Sequence, residues 1–199
     1  MDAAAWDARY QSAPLVWSAG PNALFAELTA DLPAGRALDL AAGEGRNAIW
    51  LAGRGWRVTA LDFSTVALDK ARQRAASAAV DVTWVAADVT ATDLGRAAYD
   101  LVSVLYLHLP PADLRDVLAR AAAAVAPGGT LLVLGHDRDN LARGTGGPQD
   151  PALLYTAEDL APAAAGLRIV RLAQVDRRVD EAVAVDTLLL AVHPGVDRR

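Results

Sequence analysis

Cysteine is absent from the 199-residue sequence, and lysine occurs once, at Lys70. Without cysteine the chain cannot form disulfides, thiolate metal sites or a cysteine nucleophile. Positive charge is also scarce, because 19 Lys and Arg face 24 Asp and Glu and give a formal net charge of -5. Proteins that bind nucleic acids or anionic membranes do so largely by neutralising phosphates with Lys and Arg. The charge balance therefore argues against nucleic acid and membrane as partners.

Long apolar runs are missing as well. The longest, such as residues 101–107, fall far short of the roughly 18 residues that a membrane span requires. The first ten residues also lack the basic start and apolar run of a signal peptide. We therefore expect a cytoplasmic protein, monomeric or homodimeric, that acts on a small molecule. Its length fits a single domain, with residues 1–34 as a helical cap and 35–199 as the core.

Short β-rich runs alternate with alanine-rich stretches of helical period, which indicates an α/β fold with helices on both faces of a parallel sheet. Strands are predicted at 36–40, 56–61, 82–87, 99–105 and 129–136. Helices are predicted over 111–125 and over 65–79, the latter with Ser64 as its N-cap. Two late apolar runs, 167–175 and 183–192, flank the polar triplet Asp176-Arg177-Arg178 and predict an antiparallel hairpin. The segment 138–151, rich in Gly, Asp and Pro, is predicted to be a mobile loop.

The most informative stretch is 37–51, where an apolar strand is followed by a glycine turn and then a helix. Gly43 and Gly45 permit positive φ angles and close approach of the backbone to a ligand. The first turn of the following helix presents free N–H groups. In open α/β sheets ligands bind at the carboxyl ends of the strands, so this turn is the predicted ligand site.

Aspartates end three successive predicted strands, at Asp39, Asp62 and Asp88. Asp62 is positioned to accept hydrogen bonds from ribose hydroxyls, and Asp88 from an adenine amino group unless it only caps the next helix. Phe63 and Val89 offer apolar contact to the adenine ring. These residues predict a nucleoside ligand.

Residues 43–48 also satisfy the dinucleotide pattern Gly-x-Gly-x-x-Gly/Ala, so an NAD(P)-dependent oxidoreductase is the rival interpretation. The Asp39 carboxylate argues against it, because it would repel a pyrophosphate on the same turn but can orient an ammonium group beside a sulfonium. A Tyr-x-x-x-Lys pair is also missing, since Lys70 is the only lysine.

The stretches 39–45, 99–102 and 126–132, together with Asp62 and Asp88, resemble the successive motifs of class I S-adenosylmethionine (SAM)-dependent methyltransferases. Residues 43–47 and 6–10 resemble, less specifically, the branch that holds tellurite-resistance and thiopurine-type enzymes. The resemblance implies SAM as cofactor and a doubly wound, Rossmann-like sheet of seven strands, mostly parallel with an antiparallel last strand. The sequence departs from the family at Ala41, where a glycine is usual. Either the alanine weakens cofactor binding, which keeps a non-catalytic SAM-binding protein as a third interpretation, or its φ is negative.

The residues expected to contact the cofactor lie mainly at the ends of the first three strands. They are Asp39, Ala41, Gly43, Gly45, Arg46, Asn47, Asp62, Phe63, Ser64, Asp88, Val89, Leu105 and Arg9. Arg9 either clamps the cofactor carboxylate or is a surface charge.

The acceptor site is expected to involve Tyr106 and His108, which follow the fourth strand and are the candidate catalytic residues. The other candidate substrate contacts are Trp6, Tyr10, Trp17 and His136, although the first three also fit a packed N-terminal helix. No metal is expected, because His108 and His136 lack a fixed ligand spacing. The predicted activity is methyl transfer from SAM to a small molecule (EC 2.1.1.-). The branch resemblance favours a soft sulfur, selenium or tellurium atom, which needs no general base.

Overall fold

The computed structural model describes residues 3–179 and 181–195, and it divides the chain into two compact units. The first unit ends at Thr92 and the second begins at Asp93. The expected organisation, a single domain with a cap at 1–34, stays a prediction. The last three residues, 197–199, expected to form a solvated tail, lie outside the described residues.

The first unit alternates strands with helices. Its elements are α1 (Ala3–Gln11), α2 (Ala23–Thr29), β1 (Arg36–Leu40), α3 (Arg46–Ala52), β2 (Arg57–Asp62), α4 (Thr65–Ser77) and β3 (Val82–Ala86). β2 pairs in parallel with β1 on one side and with β3 on the other. The predicted N-cap of α4 is confirmed, since the Ser64 hydroxyl accepts a hydrogen bond from the amide of Ala67.

The second unit carries the remaining four strands. Its elements are β4 (Tyr99–Leu105), α5 (Pro111–Ala124), β5 (Val125–His136), α6 (Asn140–Arg143), α7 (Ala157–Leu160), β6 (Arg168–Val179) and β7 (Ala182–Val192), with short 3₁₀ turns at Pro151–Leu153 and Ala161–Ala164. β4 and β5 are parallel, whereas β7 runs antiparallel to both β5 and β6. Buried Leu, Val and Ala side chains line β4, β5 and β7.

The seven strands form one sheet, to which the first unit contributes the order β3-β2-β1 and the second the order β4-β5-β7-β6. This mostly parallel sheet, in which the last strand β7 runs antiparallel to its two neighbours, confirms the predicted Rossmann-like fold. The predicted strand positions are also close to the observed ones, although β5 begins at Val125 rather than at 129.

The turn of the last hairpin was predicted wrongly. The triplet Asp176-Arg177-Arg178 lies inside β6, which continues to Val179. Alternate side chains of this edge strand are exposed, so charged residues fit there, and the Arg177 side chain reaches back to the buried carboxylate of Asp186. Polarity alone therefore does not distinguish a turn from an edge strand at this position.

The segment 138–151 contains the short helix α6, and its side chains Arg138, Arg143 and Asn140 all bond to residues outside it. Asn140 donates to the carbonyl oxygens of Thr145 and Gly146 and accepts from the amide of Val185. Within the described ranges, no helix has the length and apolar character needed to cross a membrane.

Candidate functional site

Left-handed backbone marks the turn between β1 and α3. The φ angles are +56° at Ala41, +55° at Gly43 and +74° at Gly45. The two glycines are also sterically required, because an added Cβ would lie 2.7 Å from the Tyr10 hydroxyl at Gly43 and 2.4 Å from the Trp84 ring at Gly45. The negative φ considered for Ala41 is wrong. This alanine adopts a conformation that costs a non-glycine residue about 1–2 kcal/mol.

Two buried carboxylates flank this turn. Asp39 is 1% exposed and Asp62 is 8% exposed. Asp62 accepts two amide hydrogen bonds of 2.8 Å, from Gly43 to Oδ2 and from Ser64 to Oδ1. Burial raises the pKa of Asp62, although these hydrogen bonds oppose the shift. Each carboxylate oxygen retains a second lone pair, so Asp62 can still accept a hydroxyl hydrogen from a ligand.

The third aspartate is part of a local turn. Asp88 is exposed, and its Oδ1 accepts from both the amide and the hydroxyl of Thr90, at 2.8 and 2.7 Å. The helix cap considered for Asp88 is wrong, because a turn and then β4 follow it, and its role toward adenine stays a prediction. Of the expected apolar contacts, Val89 is buried and Phe63 is half-buried.

Several predicted cofactor residues hold the N-terminal segment. The Ser64 hydroxyl donates to Asp7 at 2.5 Å, Arg46 donates to the Ser18 hydroxyl at 2.9 Å, and Asn47 accepts from the amide of Asn22 at 2.9 Å. The remaining predicted contact, Leu105, is a buried residue at the end of β4. The structure therefore gives Ser64, Arg46 and Asn47 defined structural roles, and their contact with a cofactor stays a prediction.

Glu44 and Lys70 were not predicted as site residues. Glu44 is 2% exposed and accepts from the amides of Val16 (3.0 Å) and Trp17 (3.2 Å). Lys70 lies 3.2 Å from the Glu44 carboxylate and donates to the carbonyls of Tyr10 and Ala13. The pair binds the segment 10–17 to the glycine turn. The sequence signal that could have indicated this role is the charged residue, Glu44, between the two glycines of the turn.

The N-terminal aromatic residues form a cluster beside the turn. The Trp6 ring stacks on Tyr10 at 5.5 Å, and the Trp17 indole donates to the Tyr10 hydroxyl at 3.4 Å. The Arg9 guanidinium lies 5.1 and 5.2 Å from the rings of Trp6 and Trp17. Burial raises the pKa of Tyr10, so its hydroxyl stays protonated. The structure brings these four predicted residues together, and their contacts with cofactor or acceptor stay predictions.

A second polar group, centred on Asp186, lies in the second unit. The Tyr106 hydroxyl and the Arg177 Nε each donate to Oδ2 of Asp186 at 2.7 Å. His136 Nδ1 lies 3.1 Å from Oδ1 of the same carboxylate. Although burial alone would raise the pKa of Asp186, His136, Arg177 and Tyr106 together hold it below its usual range. Asp186 is therefore a buried, ionised carboxylate, and neither it nor Arg177 was predicted.

His108 stacks on this group, with its ring 5.5 Å from His136 and 4.9 Å from Tyr155. Its Nδ1 lies 2.8 Å from the carbonyl oxygen of Leu153. A carbonyl only accepts, so Nδ1 carries the hydrogen and Nε2 carries a lone pair. Nε2 is buried and has no hydrogen-bond partner in the part of the chain that the structure describes. Burial lowers the pKa of His108 to about 4, so the ring is neutral near pH 7.

Tyr155 supports His108 from behind. Its ring is fully buried, its hydroxyl donates to the carbonyl of Leu107, and an added Cβ on Gly135 would lie 2.1 Å from the ring. Across 3–179 and 181–195, no group of three or more His, Asp or Glu side chains is arranged to hold a metal ion.

A model of the methyltransferase domain family matches residues 37–129, which include the glycine turn and the strands β1 to β4. An uncharacterised methyltransferase of Mycobacterium tuberculosis is 37% identical over 108 residues, which make up 54% of this chain and 53% of the relative. The demethylmenaquinone methyltransferase of Thermus thermophilus is 35% identical over 101 residues, or 50% of this chain and 46% of the relative. The chain thus spans about half the length of the curated relatives it matches.

Among solved structures, one has a TM-score of 0.78 to this chain. It was determined for work on the conversion of a disulfide bond into a thioacetal group during echinomycin biosynthesis. It is 23% identical and covers 98% of this chain and 93% of its own. At this identity the likeness shows the fold alone.

Proposed function

We propose that this chain is a class I SAM-dependent methyltransferase that transfers a methyl group from SAM to a small molecule, a proposal supported by the match of residues 37–129 to the methyltransferase domain family. SAM is the cofactor of this family. The principal observation that supports the proposal is the pair of buried carboxylates, Asp39 and Asp62, beside a left-handed glycine turn.

The residues of the turn fit SAM better than a dinucleotide. Asp62 is fixed by the amides of Gly43 and Ser64 and retains lone pairs for ribose hydroxyls. Asp39 adds a second carboxylate, just before the glycine turn in the sequence. Its negative charge suits an ammonium or sulfonium and disfavours a pyrophosphate. We propose that the cofactor site also includes Gly43, Gly45 and Phe63.

SAM supplies a methyl group on a sulfonium, which is already an activated leaving group. The chain's own residues then need to orient the acceptor, exclude water and, where the acceptor carries a proton, remove it. We propose the half-buried ring of His108 and the neighbouring Tyr106 and His136 for these tasks. Polarisable aromatic rings suit a soft acceptor atom, with sulfur first and selenium or tellurium next.

Thermal unfolding tests the cofactor assignment. We expect SAM and its product S-adenosylhomocysteine (SAH) to raise the melting temperature, because a ligand that binds only the folded state stabilises it by mass action. NADH and NADPH should leave the melting temperature unchanged. A shift with a nicotinamide dinucleotide and none with SAH would transfer the assignment to an oxidoreductase.

Transfer itself is tested with methyl-labelled SAM and a panel of candidate acceptors, followed by mass spectrometry of the products. Label in a small molecule supports the proposed enzyme. Tight SAH binding with no transfer to any panel member would instead favour the non-catalytic SAM-binding protein.

A further inference from the structure

We propose that His136, held by Asp186, is the proton acceptor of this enzyme and that its methyl acceptor is a neutral molecule carrying a proton on the reacting atom. The inference deepens the proposed function and depends on it. It assigns roles to Asp186 and Arg177, and it places the base at His136 rather than at His108.

Asp186 is a positioning residue. Its carboxylate is 1% exposed and is contacted from three elements, by Tyr106 at the end of β4, His136 at the end of β5 and Arg177 in β6. Burying a charge is costly unless it is paired and hydrogen-bonded, and here Tyr106 and Arg177 donate hydrogen bonds to Oδ2 while His136 Nδ1 lies close to Oδ1 without hydrogen-bond geometry. The arrangement fixes the position of the carboxylate and, through it, the orientation of the His136 ring.

The contact with Asp186 determines which nitrogen of His136 is free. Nδ1 lies 3.1 Å from an ionised carboxylate oxygen, and although the contact lacks hydrogen-bond geometry, a lone pair on Nδ1 would face this negative charge. We therefore assign the hydrogen to Nδ1 and the lone pair to Nε2. A carboxylate behind an imidazole also stabilises the imidazolium that forms when Nε2 takes a proton. The groups that face His136 are Asp186 from β7, the Tyr106 and His108 rings, and the backbone of Gly147.

Tyr106 and His108 are less suited to act as the base. The Tyr106 hydroxyl already donates its hydrogen to Asp186. His108 has its Nδ1 against a backbone carbonyl instead of a carboxylate, and burial lowers its pKa to about 4, so it holds a proton poorly near neutral pH. Its Nε2 is buried, so we propose that His108 contacts the acceptor with the exposed part of its ring and not through this nitrogen.

The charge balance of the cluster indicates the class of acceptor. The Arg177 guanidinium lies over the Tyr106 ring and pairs with the Asp186 carboxylate at 2.7 Å. Its positive charge is thus compensated by Asp186 and is not available to neutralise an oxyanion. The lone pair on Nε2 of His136 instead suits a hydrogen-bond donor, so among soft acceptors a thiol or selenol fits better than selenite or tellurite.

The transfer then balances as follows. The bond from the sulfonium sulfur to the methyl carbon breaks with its electron pair moving to sulfur, as the acceptor atom forms a bond to that carbon. The proton of the acceptor passes to Nε2 of His136, and the resulting imidazolium keeps its Nδ1–H toward Asp186. Return of that proton to solvent restores the starting state.

The tautomer of His136 can be measured without knowing the acceptor. We expect ¹⁵N–¹H correlation spectra of the SAH-bound protein at pH 8 to show hydrogen on Nδ1 of His136 and none on Nε2. Asp186→Asn should change this pattern, whereas the matched control Asp176→Asn, an exposed carboxylate in β6, should not. A hydrogen on Nε2 of His136 in the unaltered protein overturns the proposal, and this result does not require any variant to fold.

The acceptor class is tested with benzyl mercaptan and 2-mercaptoethanol as neutral probes and with selenite and tellurite as anionic probes, at pH 7. We expect transfer to a thiol, with a rate that falls about 10²-fold or more in His136→Gln and in Asp186→Asn. His108→Gln should raise KM more than it lowers kcat. Transfer to the anions alone, or to neither class of probe, overturns the proposal.

The melting-temperature response to SAH keeps the two proposals apart. A variant at His136 or Asp186 that still binds SAH but no longer methylates the thiol supports the further inference. A chain that does not bind SAH at all contradicts the proposed function itself.

Discussion

The backbone amide of Gly43 donates a 2.8 Å hydrogen bond to Oδ2 of Asp62, whose other oxygen accepts from the amide of Ser64. One side chain at the end of β2 therefore fixes both the glycine turn and the start of α4. A residue that would be assigned to ligand binding alone is also a structural link between two loops.

Replacing Asp62 should affect binding and stability together. We expect Asp62→Ala to weaken SAH binding by roughly 1–3 kcal/mol, the order expected for lost hydrogen bonds to a charged acceptor. The melting temperature of the free protein should also fall, because two buried amides lose their acceptor. Calorimetry and thermal unfolding measure the two effects, with the exposed Asp69→Ala as control. Unchanged affinity would mean that the end of β2 is not the ribose site.

Ala41→Gly should stabilise the protein. At a φ of +56° alanine is strained, and removing its Cβ should raise the free energy of unfolding by about 1 kcal/mol, less the added entropy of the unfolded chain. Ala79→Gly is a matched control, since Ala79 also has a positive φ (+53°) but lies after α4 and away from the turn. Both variants should gain stability in urea titrations, and SAH affinity should increase in Ala41→Gly alone. A loss of stability in Ala41→Gly would contradict the inferred strain.

Lys70→Met should release the segment 10–17. It leaves the buried Glu44 carboxylate without its cation, a change expected to cost about 3 kcal/mol. The control is Arg72→Met on the same helix, which breaks an exposed pair with Asp69 and should cost less than about 1 kcal/mol. Hydrogen exchange at Val16 and Trp17 should accelerate in the first variant only. Equal protection in both would show that the ion pair does not hold the segment.

His108 should make stability depend on pH below neutrality. Its pKa is about 4 in the folded protein and 6.5 in an unfolded chain, so between these values the unfolded state binds more protons. The stabilisation is present in full above about pH 6.5 and is lost as the pH falls toward 4, by up to about 3 kcal/mol. His108→Gln should flatten this part of the stability curve, whereas His193→Gln should not. Identical curves for the two variants would place the titration elsewhere.

The same neutral ring has a kinetic consequence. The pH profile of the methyl-transfer step should keep its shape near pH 6.5 when His108 is removed. The reason is that His108 is uncharged on both sides of that pH. Single-turnover rates of His108→Ala, measured as a function of pH with a thiol probe that the protein methylates, test this directly.

The fold and the ligand turn were predictable because local sequence determines them. Strand–turn–helix alternation indicates the sheet, and Gly43, Gly45 and Asp62 occupy positions where backbone freedom or a carboxylate has a specific use. The positive φ of Ala41 could not be predicted from the sequence. Alanine only rarely adopts the left-handed region, so the residue type favours a negative φ.

The residues that sequence reasoning missed act over long separations. Asp186 meets Tyr106 and His136 across 80 and 50 positions of the chain, and its neighbour in space, Arg177, sits in a stretch that looks like a turn. Single-sequence patterns report periodicity within an element, and they carry no record of which distant strand supplies a partner. Glu44 was missed for a related reason, because its amide partners, Val16 and Trp17, lie in an irregular segment.

The Glu44–Lys70 pair also bears on the order in which the chain folds. The segment 10–17 meets Glu44 across 27 and 28 positions and Lys70 across 57 and 60, and Lys70 lies on α4, which follows β2. Such contacts stabilise the segment only after the loops between the partners have closed. We therefore expect the N-terminal segment to dock late in folding, so that the aromatic cluster assembles on a turn that has already formed.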